Sequence, residues 1–120
     1  MKGRLIMQNS RMILFQLQFE VAPERQNEFE AAFARIFLPA LSKQKGFISA
    51  RFSRLYSAAA MAEIEAPPTE FNYQVNFVFQ SEALRRVWAA SPDHDVAWPA
   101  FSGIAKKAIW RGYDILAATE

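Results

Sequence analysis

An α+β fold of the ferredoxin-like type, βαββαβ with helices on one face of an antiparallel four-stranded sheet, is predicted for this 120-residue chain by the way its apolar period changes. Segments that alternate at period two, suited to half-buried strands, surround segments that repeat every three or four residues, suited to amphipathic helices. Their order is strand, helix, strand, strand, helix, strand, which is the split βαβ arrangement. At 13.7 kDa the chain forms one domain with one core.

In Met12–Val21, residues Ile13, Phe15, Leu17, Phe19 and Val21 alternate with Leu14, Gln16, Gln18 and Glu20, a pattern for a first strand. Pro23 then opens a helix over Glu24–Lys43. Its apolar stripe is Phe29, Phe33, Ile36, Phe37 and Leu41, with Gly46 as a stop and a kink expected at Pro39. Phe47–Tyr56 alternates again, with Ile48, Ala50, Phe52 and Tyr56 on one face and Arg54 interrupting the row. The stretch Ser57–Glu70, with Pro67-Pro68 and little periodicity, reads as a surface connection long enough to act as a flap or a partner-contacting arm.

Phe71–Phe79 reads as a third strand, with its aromatic residues on one side and Asn72, Gln74 and Asn76 on the other. Ser81 is placed to cap a helix running to Ala90, with Leu84, Val87 and Trp88 as its buried edge. Pro92 restarts a short helix over Asp93–Phe101, expected to break at Pro99. Ile109–Ala117 closes the sheet, with Ile109, Arg111 and Tyr113 alternating with Trp110 and Asp114. The helices cover one face only. The other face, assigned Leu14, Gln16, Gln18, Asn72, Gln74, Asn76 and Trp110, is too apolar for open water and too polar for a dry core, which suits a homodimer in which two sheets meet.

Composition narrows the function classes. Hydrophobic residues make up 52% of the chain, yet no uninterrupted apolar run approaches the roughly 20 residues of a membrane span. Lys2 and Arg4 precede only Leu5-Ile6-Met7 before polar Gln8, so a signal peptide is not expected and a cytoplasmic location is. Residues 1–11 are assigned as an N-terminal extension and 12–120 as the domain. Without cysteine there are no disulfides, thiolate nucleophiles or cysteine metal sites. A net charge of +2 with dispersed basic residues makes no phosphate-binding stripe, so nucleic acid is not an expected partner.

Chemistry concentrates in one stretch. The only histidine, His94, lies in Ser91-Pro92-Asp93-His94 between Trp88 and Trp98, where an imidazole and two indoles can converge on the helix side of the sheet. Two readings of His94 stay open, a base in a pocket and a polar residue at a helix start. A metal centre at Asp93-His94-Asp95 is not expected, because consecutive helical residues point in different directions and no second histidine is present.

Val21-Ala22-Pro23-Glu24, Gly46-Phe47, Phe79-Gln80-Ser81-Glu82, and Ser91-Pro92-Asp93-His94 with Ala97-Trp98 together resemble the antibiotic biosynthesis monooxygenase superfamily over residues 12–117. The resemblance implies a dimeric α/β barrel. It also implies a choice of chemistries, since such proteins include cofactor-free oxygenases of aromatic substrates, haem-degrading enzymes and isomerases. For the haem-degrading branch, the positions matching its pocket asparagine, tryptophan and iron-binding histidine are Leu17, Phe79 and Trp98, and all three differ. His94 falls about one helical turn before the ligand position.

The oxygenase branch needs a flat apolar pocket and a proton acceptor, because a deprotonated phenol can itself supply electrons to oxygen. Phe15, Leu17, Phe77, Phe79, Trp88 and Trp98 are the expected walls, His94 the base, and Tyr56 or Arg54 the group that orients a substrate oxyanion. The expected activity is that of a cofactor-independent monooxygenase or related small-molecule enzyme on a hydroxylated aromatic or enolic substrate, with no haem, flavin or metal. The competing expectation is a non-catalytic dimer that binds an apolar small molecule or serves as an accessory protein. A cavity reaching His94 separates the two.

Overall fold

The computed structural model describes residues 5–7 and 12–119. The remaining residues of the expected extension, with the Lys2 and Arg4 on which the signal-peptide reading rests, lie outside them. In chain order the elements are β1 (Leu5–Met7), β2 (Ile13–Glu20), a 3-10 turn (Pro23–Arg25), α1 (Gln26–Ala32), a π-helical turn (Phe33–Phe37) and α2 (Leu38–Ser42). There follow β3 (Phe47–Arg54), α3 (Ala58–Glu63), β4 (Tyr73–Phe79), α4 (Glu82–Ala89), α5 (Pro92–Ser102), β5 (Lys107–Asp114) and β6 (Ala117–Thr119). The main sheet has the order β3-β4-β2-β5 with every neighbour antiparallel, the ferredoxin-like topology expected.

The expected second strand ends at Arg54 and the expected third begins at Tyr73, each two residues inside its bound, and three larger differences follow. The final strand stops at Asp114, and Ala117–Thr119 forms a separate antiparallel pair with Leu5–Met7. The connection after β3 contains helix α3, because Ser57 accepts a hydrogen bond from the Ala60 N–H and so caps an alanine-rich turn. And α5 runs through Pro99 without a break: the carbonyl that a residue-99 N–H would have reached is that of Asp95, which is exposed and open to hydration.

Pro39 acts on the first long helix as its chemistry requires. A proline ring clashes with the carbonyl four residues back and offers no N–H. The backbone widens just before it into the π turn, with the Leu38 N–H bonded to the Phe33 carbonyl, and the helix resumes as α2. The inward stripe stays in phase, with Phe29, Phe33, Phe37 and Leu41 all buried. Ile36 is 39% exposed and leaves the expected stripe.

Register decides which strand residues face the helices. Phe15 pairs with Phe77 and with Gly112, Leu17 with Val75 and Trp110, and Phe19 with Tyr73 and Ala108. Trp110 therefore belongs to the helix-facing side, and its assignment to the open face is corrected; a one-residue change of phase on an edge strand moves every side chain across the sheet. The open face carries Leu14, Gln16 and Gln18 beside Arg111 and Ile109, with a Gln16 amide donating to Asn76 at 3.3 Å. A β-bulge between Phe47 and Ser49 turns Ile48 outward, to 45% exposure, and restores Ala50 and Phe52 to the inner row.

Between the sheet and helices lies an aromatic core. Phe101 stacks on Phe29 with centroids 4.4 Å apart and on Phe37 at 4.9 Å, and meets Phe19 edge-on at 5.1 Å. Asn72 extends the sheet beyond its last ladder bond, since its amide both accepts from the Val21 N–H and donates to the Val21 carbonyl at 2.9 Å. Gly46 has φ +88° and joins α2 to β3 where Leu84 of α4 packs down on it. A Cβ there would sit 2.6 Å from Leu84 Cδ1, besides adopting a backbone region costly to L-residues. Gly46→Ala should lower unfolding free energy by about 1–2 kcal/mol, read as a lower urea midpoint at unchanged slope.

Candidate functional site

The local sequence around His94 explains its placement. Ser91 caps α5, accepting a hydrogen bond from the His94 N–H at 3.1 Å, while its hydroxyl donates to the Trp88 carbonyl at 2.7 Å and so ties the end of α4 to the start of α5. Pro92 fits the first helical position, where no N–H is needed. Asp93 accepts from the Gln44 amide at 3.0 Å and lies 3.6 Å from Lys43, which fixes this corner against the end of α2. His94 then follows in the first turn with its ring turned inward. It lies stacked near Trp98 (centroids 6.0 Å, planes 15° apart) and edge-on to Trp88 at 4.9 Å.

These rings surround a cavity of about 210 Å³ between the sheet and helices α4 and α5. Phe15, Leu17 and Phe77 form its sheet side, Trp88, His94 and Trp98 its helix side, and Trp110 its rim. A cavity of about 150 Å³ holds benzene, so this space accommodates one substituted ring. Its titratable lining groups are His94 and Arg85.

Burial pushes the His94 imidazole below its ordinary pKa of 6.5, with the Arg85 charge adding to the effect and Asp95 opposing it. The ring is therefore neutral at pH 7. Neither imidazole nitrogen has a hydrogen-bond partner among the described residues; only the backbone N–H of His94 is bonded. A neutral imidazole with a free lone pair, facing a flat apolar slot, can take a proton from a bound ring hydroxyl or enol.

Of the residues proposed from sequence, His94, Phe15, Leu17, Phe77, Trp88 and Trp98 come together at this cavity. Phe79 does not line it: the ring is fully buried behind Phe77, 5.7 Å away, and against Phe47. Arg54 and Tyr56 lie elsewhere. Arg54 ends β3 in an ion pair with Glu30 at 2.9 Å, and the Tyr73 hydroxyl donates to the same carboxylate. Tyr56 is 64% exposed beyond the strand, and both border a separate open recess beside Met61 and Phe71. Arg54 is the last residue of β3 and Tyr56 lies beyond it, where Met61 of α3, and not α4 or α5, borders the recess. Trp110 and Arg85 line the cavity although sequence reasoning does not place them there. The phase of β5 hides Trp110, and Arg85 reads in the linear chain as an ordinary surface charge on an amphipathic helix.

The whole architecture matches known structures across most of its length. A mutant form of SnoaB, a cofactor-independent oxygenase from Streptomyces nogalater, is similar at a TM-score of 0.70 and 18% identity, over 88% of this chain and 94% of that one. A protein from Caulobacter crescentus provisionally assigned as an antibiotic biosynthesis monooxygenase matches at 0.69 and 16% identity, over 88% and 91% of the two chains. The fold is the ferredoxin-like one that these structures share. A dimeric ferredoxin-like protein of unknown function from Jannaschia has it too, at a TM-score of 0.67 and 15% identity, over 87% of this chain and 99% of that one. No protein-family model and no curated protein sequence matches the chain. Identities this low show the fold alone, and chemistry has to be argued from the cavity. Among the described residues no helix is long and apolar enough to cross a membrane.

Proposed function

We propose that this ferredoxin-like scaffold serves a cofactor-independent monooxygenase, or a related small-molecule enzyme, acting on a hydroxylated aromatic or enolic compound. The observation that carries this reading is the ring-sized cavity in which a neutral imidazole, its two nitrogens unpartnered among the described residues, faces indole walls. The substrate ring lies among Trp88, Trp98 and Trp110, and His94 accepts its proton. The resulting anion is electron-rich enough to reduce dioxygen directly, and a carbon–oxygen bond then forms at the activated carbon. Where that carbon bears two hydrogens the balance closes: one oxygen atom becomes a carbonyl and the other leaves as water with both hydrogens.

Proton transfer sets the demand on the site. A phenol of ordinary pKa, about 10, lies about 3.5 units above an ordinary imidazole, an uphill step of about 5 kcal/mol. The lowered pKa of His94 widens that gap, so the site needs a positive charge near the new anion or a substrate of lower pKa. Oxygen uptake with a panel of hydroxylated aromatics, in protein stripped with chelator, tests the reading. Consumption of dioxygen with stoichiometric product is the expected result; binding without uptake on every member would favour the accessory-dimer reading instead.

We further propose a homodimer through the open sheet face that carries Gln16, Gln18, Gln74 and Asn76. The face mixes amides with Leu14, Val78 and Ile109, and among the described residues only α3 approaches it, with Met61 beside Gln18 and Gln74 at one end. A stable pair is expected to bury on the order of 1,000 Å² or more in total. Sedimentation at micromolar concentration should report two chains per particle, and a monodisperse monomer would exclude this interface.

A further inference from the structure

Arg85 belongs to helix α4, yet its side chain is only 15% exposed. Instead of reaching into solvent, the guanidinium lies over the Phe15 ring of β2, with Cζ 4.3 Å from the centroid, at the wall of the His94 cavity. Glu82 holds its orientation: Nε donates to Oε1 and Nη2 to Oε2 of that carboxylate, both at 2.7 Å. Nη1 is left without a partner among the described residues. That nitrogen is accessible rather than buried, so water holds it in the free protein and a ligand oxygen can replace the water.

The local charge balance favours an anion there. Arg86 also donates to Glu82, at 2.8 Å, so two guanidinium charges face one carboxylate and the cluster keeps one positive charge. Glu82 stays ionised under all ordinary conditions, its carboxyl pushed down to about 2 chiefly by the hydrogen bonds from Arg85. The orienting pair therefore does not come apart when an anion arrives, and the planar fork presents one fixed edge to it.

We propose that Arg85 is the anion-binding residue of this cavity and that the ligand is an aromatic acid, one substituted ring whose carboxylate or acidic hydroxyl oxygen accepts from Nη1 while its face lies on the tryptophans. The inference rests on the reading of this cavity as a ligand site, and it names the substrate class. Glu82 is a positioning residue: it holds the guanidinium plane against Phe15 and touches no ligand. Where the acidic hydroxyl oxygen itself accepts from Nη1, the fixed cation lowers its pKa and so meets the requirement that proton transfer to His94 places on the site.

All three tryptophans of the chain line this cavity, so their emission reports its occupancy. The probes are 4-hydroxybenzoate and 4-hydroxybenzamide, nearly equal in shape and different in charge, titrated into the wild-type protein at pH 7.5. The acid should bind about tenfold or more tighter, the scale of one charge-assisted hydrogen bond. Arg85→Met, which keeps the apolar stem over Phe15, should bring the two affinities together by weakening the acid alone, and Arg85→Lys should recover part of the preference. Equal affinities in the wild type, an acid preference that survives in Arg85→Met, or no binding of either compound at millimolar concentration would each overturn the proposal. Because the wild-type ratio needs no variant, a folding defect in Arg85→Met does not remove the test. Acid preference without oxygen uptake on any substrate would sink the oxygenase reading and leave the anion site standing; uptake on neutral phenols with no acid preference would do the reverse.

Discussion

Replacing His94 with alanine is expected to lower turnover roughly 100-fold or more, the usual cost of losing a general base, while ligand affinity changes much less. The separation follows from the geometry. Trp88, Trp98 and the sheet-side phenylalanines still hold the ring, and only the proton acceptor is gone. Structure at the corner should survive, because Ser91 bonds the backbone N–H of residue 94 and not its side chain. Far-ultraviolet dichroism and ligand titration distinguish a lost base from a lost fold. If the variant turns over at the wild-type rate, the base assignment is wrong and His94 is simply a partly buried residue at a helix start.

The same residue sets the sign of the pH dependence. Burial disfavours the charged imidazole, so the folded pKa lies below the ordinary value of 6.5 and the base is available at neutrality. The rate at low substrate should therefore stay flat down through pH 7 and fall only below pH 6.5, as the imidazole protonates. Stability moves the same way. Between the unfolded pKa and the lower folded pKa the unfolded chain binds more protons, so acidification through that window destabilises the fold, and the contribution is fully present above it. His94→Ala should remove that part of the acid slope.

Phe101→Ala should cost about 3–5 kcal/mol, which is a large part of the roughly 5–15 kcal/mol that holds a domain together. Phe101 is fully buried and in ring contact with Phe19, Phe29, Phe33, Phe37 and Phe52, so its loss opens a hole at the meeting point of the first long helix, α5 and the sheet. None of those neighbours can fill the hole alone, since each is held in place by its own element and its own ring contacts. Val87→Ala is the matched control: the residue is 61% exposed, and its change should stay within about 0.5 kcal/mol. Urea unfolding of both variants gives the comparison. A Phe101→Ala midpoint close to wild type would mean that the core relaxes far more than this aromatic cluster suggests.

Much of the fold is legible in the linear chain. Alternation in β2 and β4 is unambiguous because each inner row is almost wholly aromatic or aliphatic, from Ile13 through Phe19 and from Tyr73 through Phe79. Proline and serine mark the helix starts at Pro23, Ser81 and Ser91, where missing or satisfied N–H groups leave few alternatives. Helix α3 is less legible, since three consecutive alanines carry no amphipathic period and only the Ser57 cap identifies the turn. Val87 reads as buried in the sequence because helical spacing alone does not say how wide the covered stripe is; α4 buries Trp88 fully and leaves Val87 in solvent.

His94 and the tryptophans near it can be singled out from sequence because caps and helical spacing are local. Local rules give a residue's place on its own element. Which elements meet depends on register and on long-range packing, and there the tertiary structure decided. The pairing of Leu17 with Trp110 brought an indole from β5 to the cavity rim, while the end of β3 carried Arg54 and Tyr56 to a different recess. Burial against Phe15 made Arg85 part of the site. Hydrophobic period and capping chemistry thus determine the elements and their order, because they act within a few residues; the site emerges only when side chains distant in sequence come within a few ångströms, where desolvation and charge act on one another.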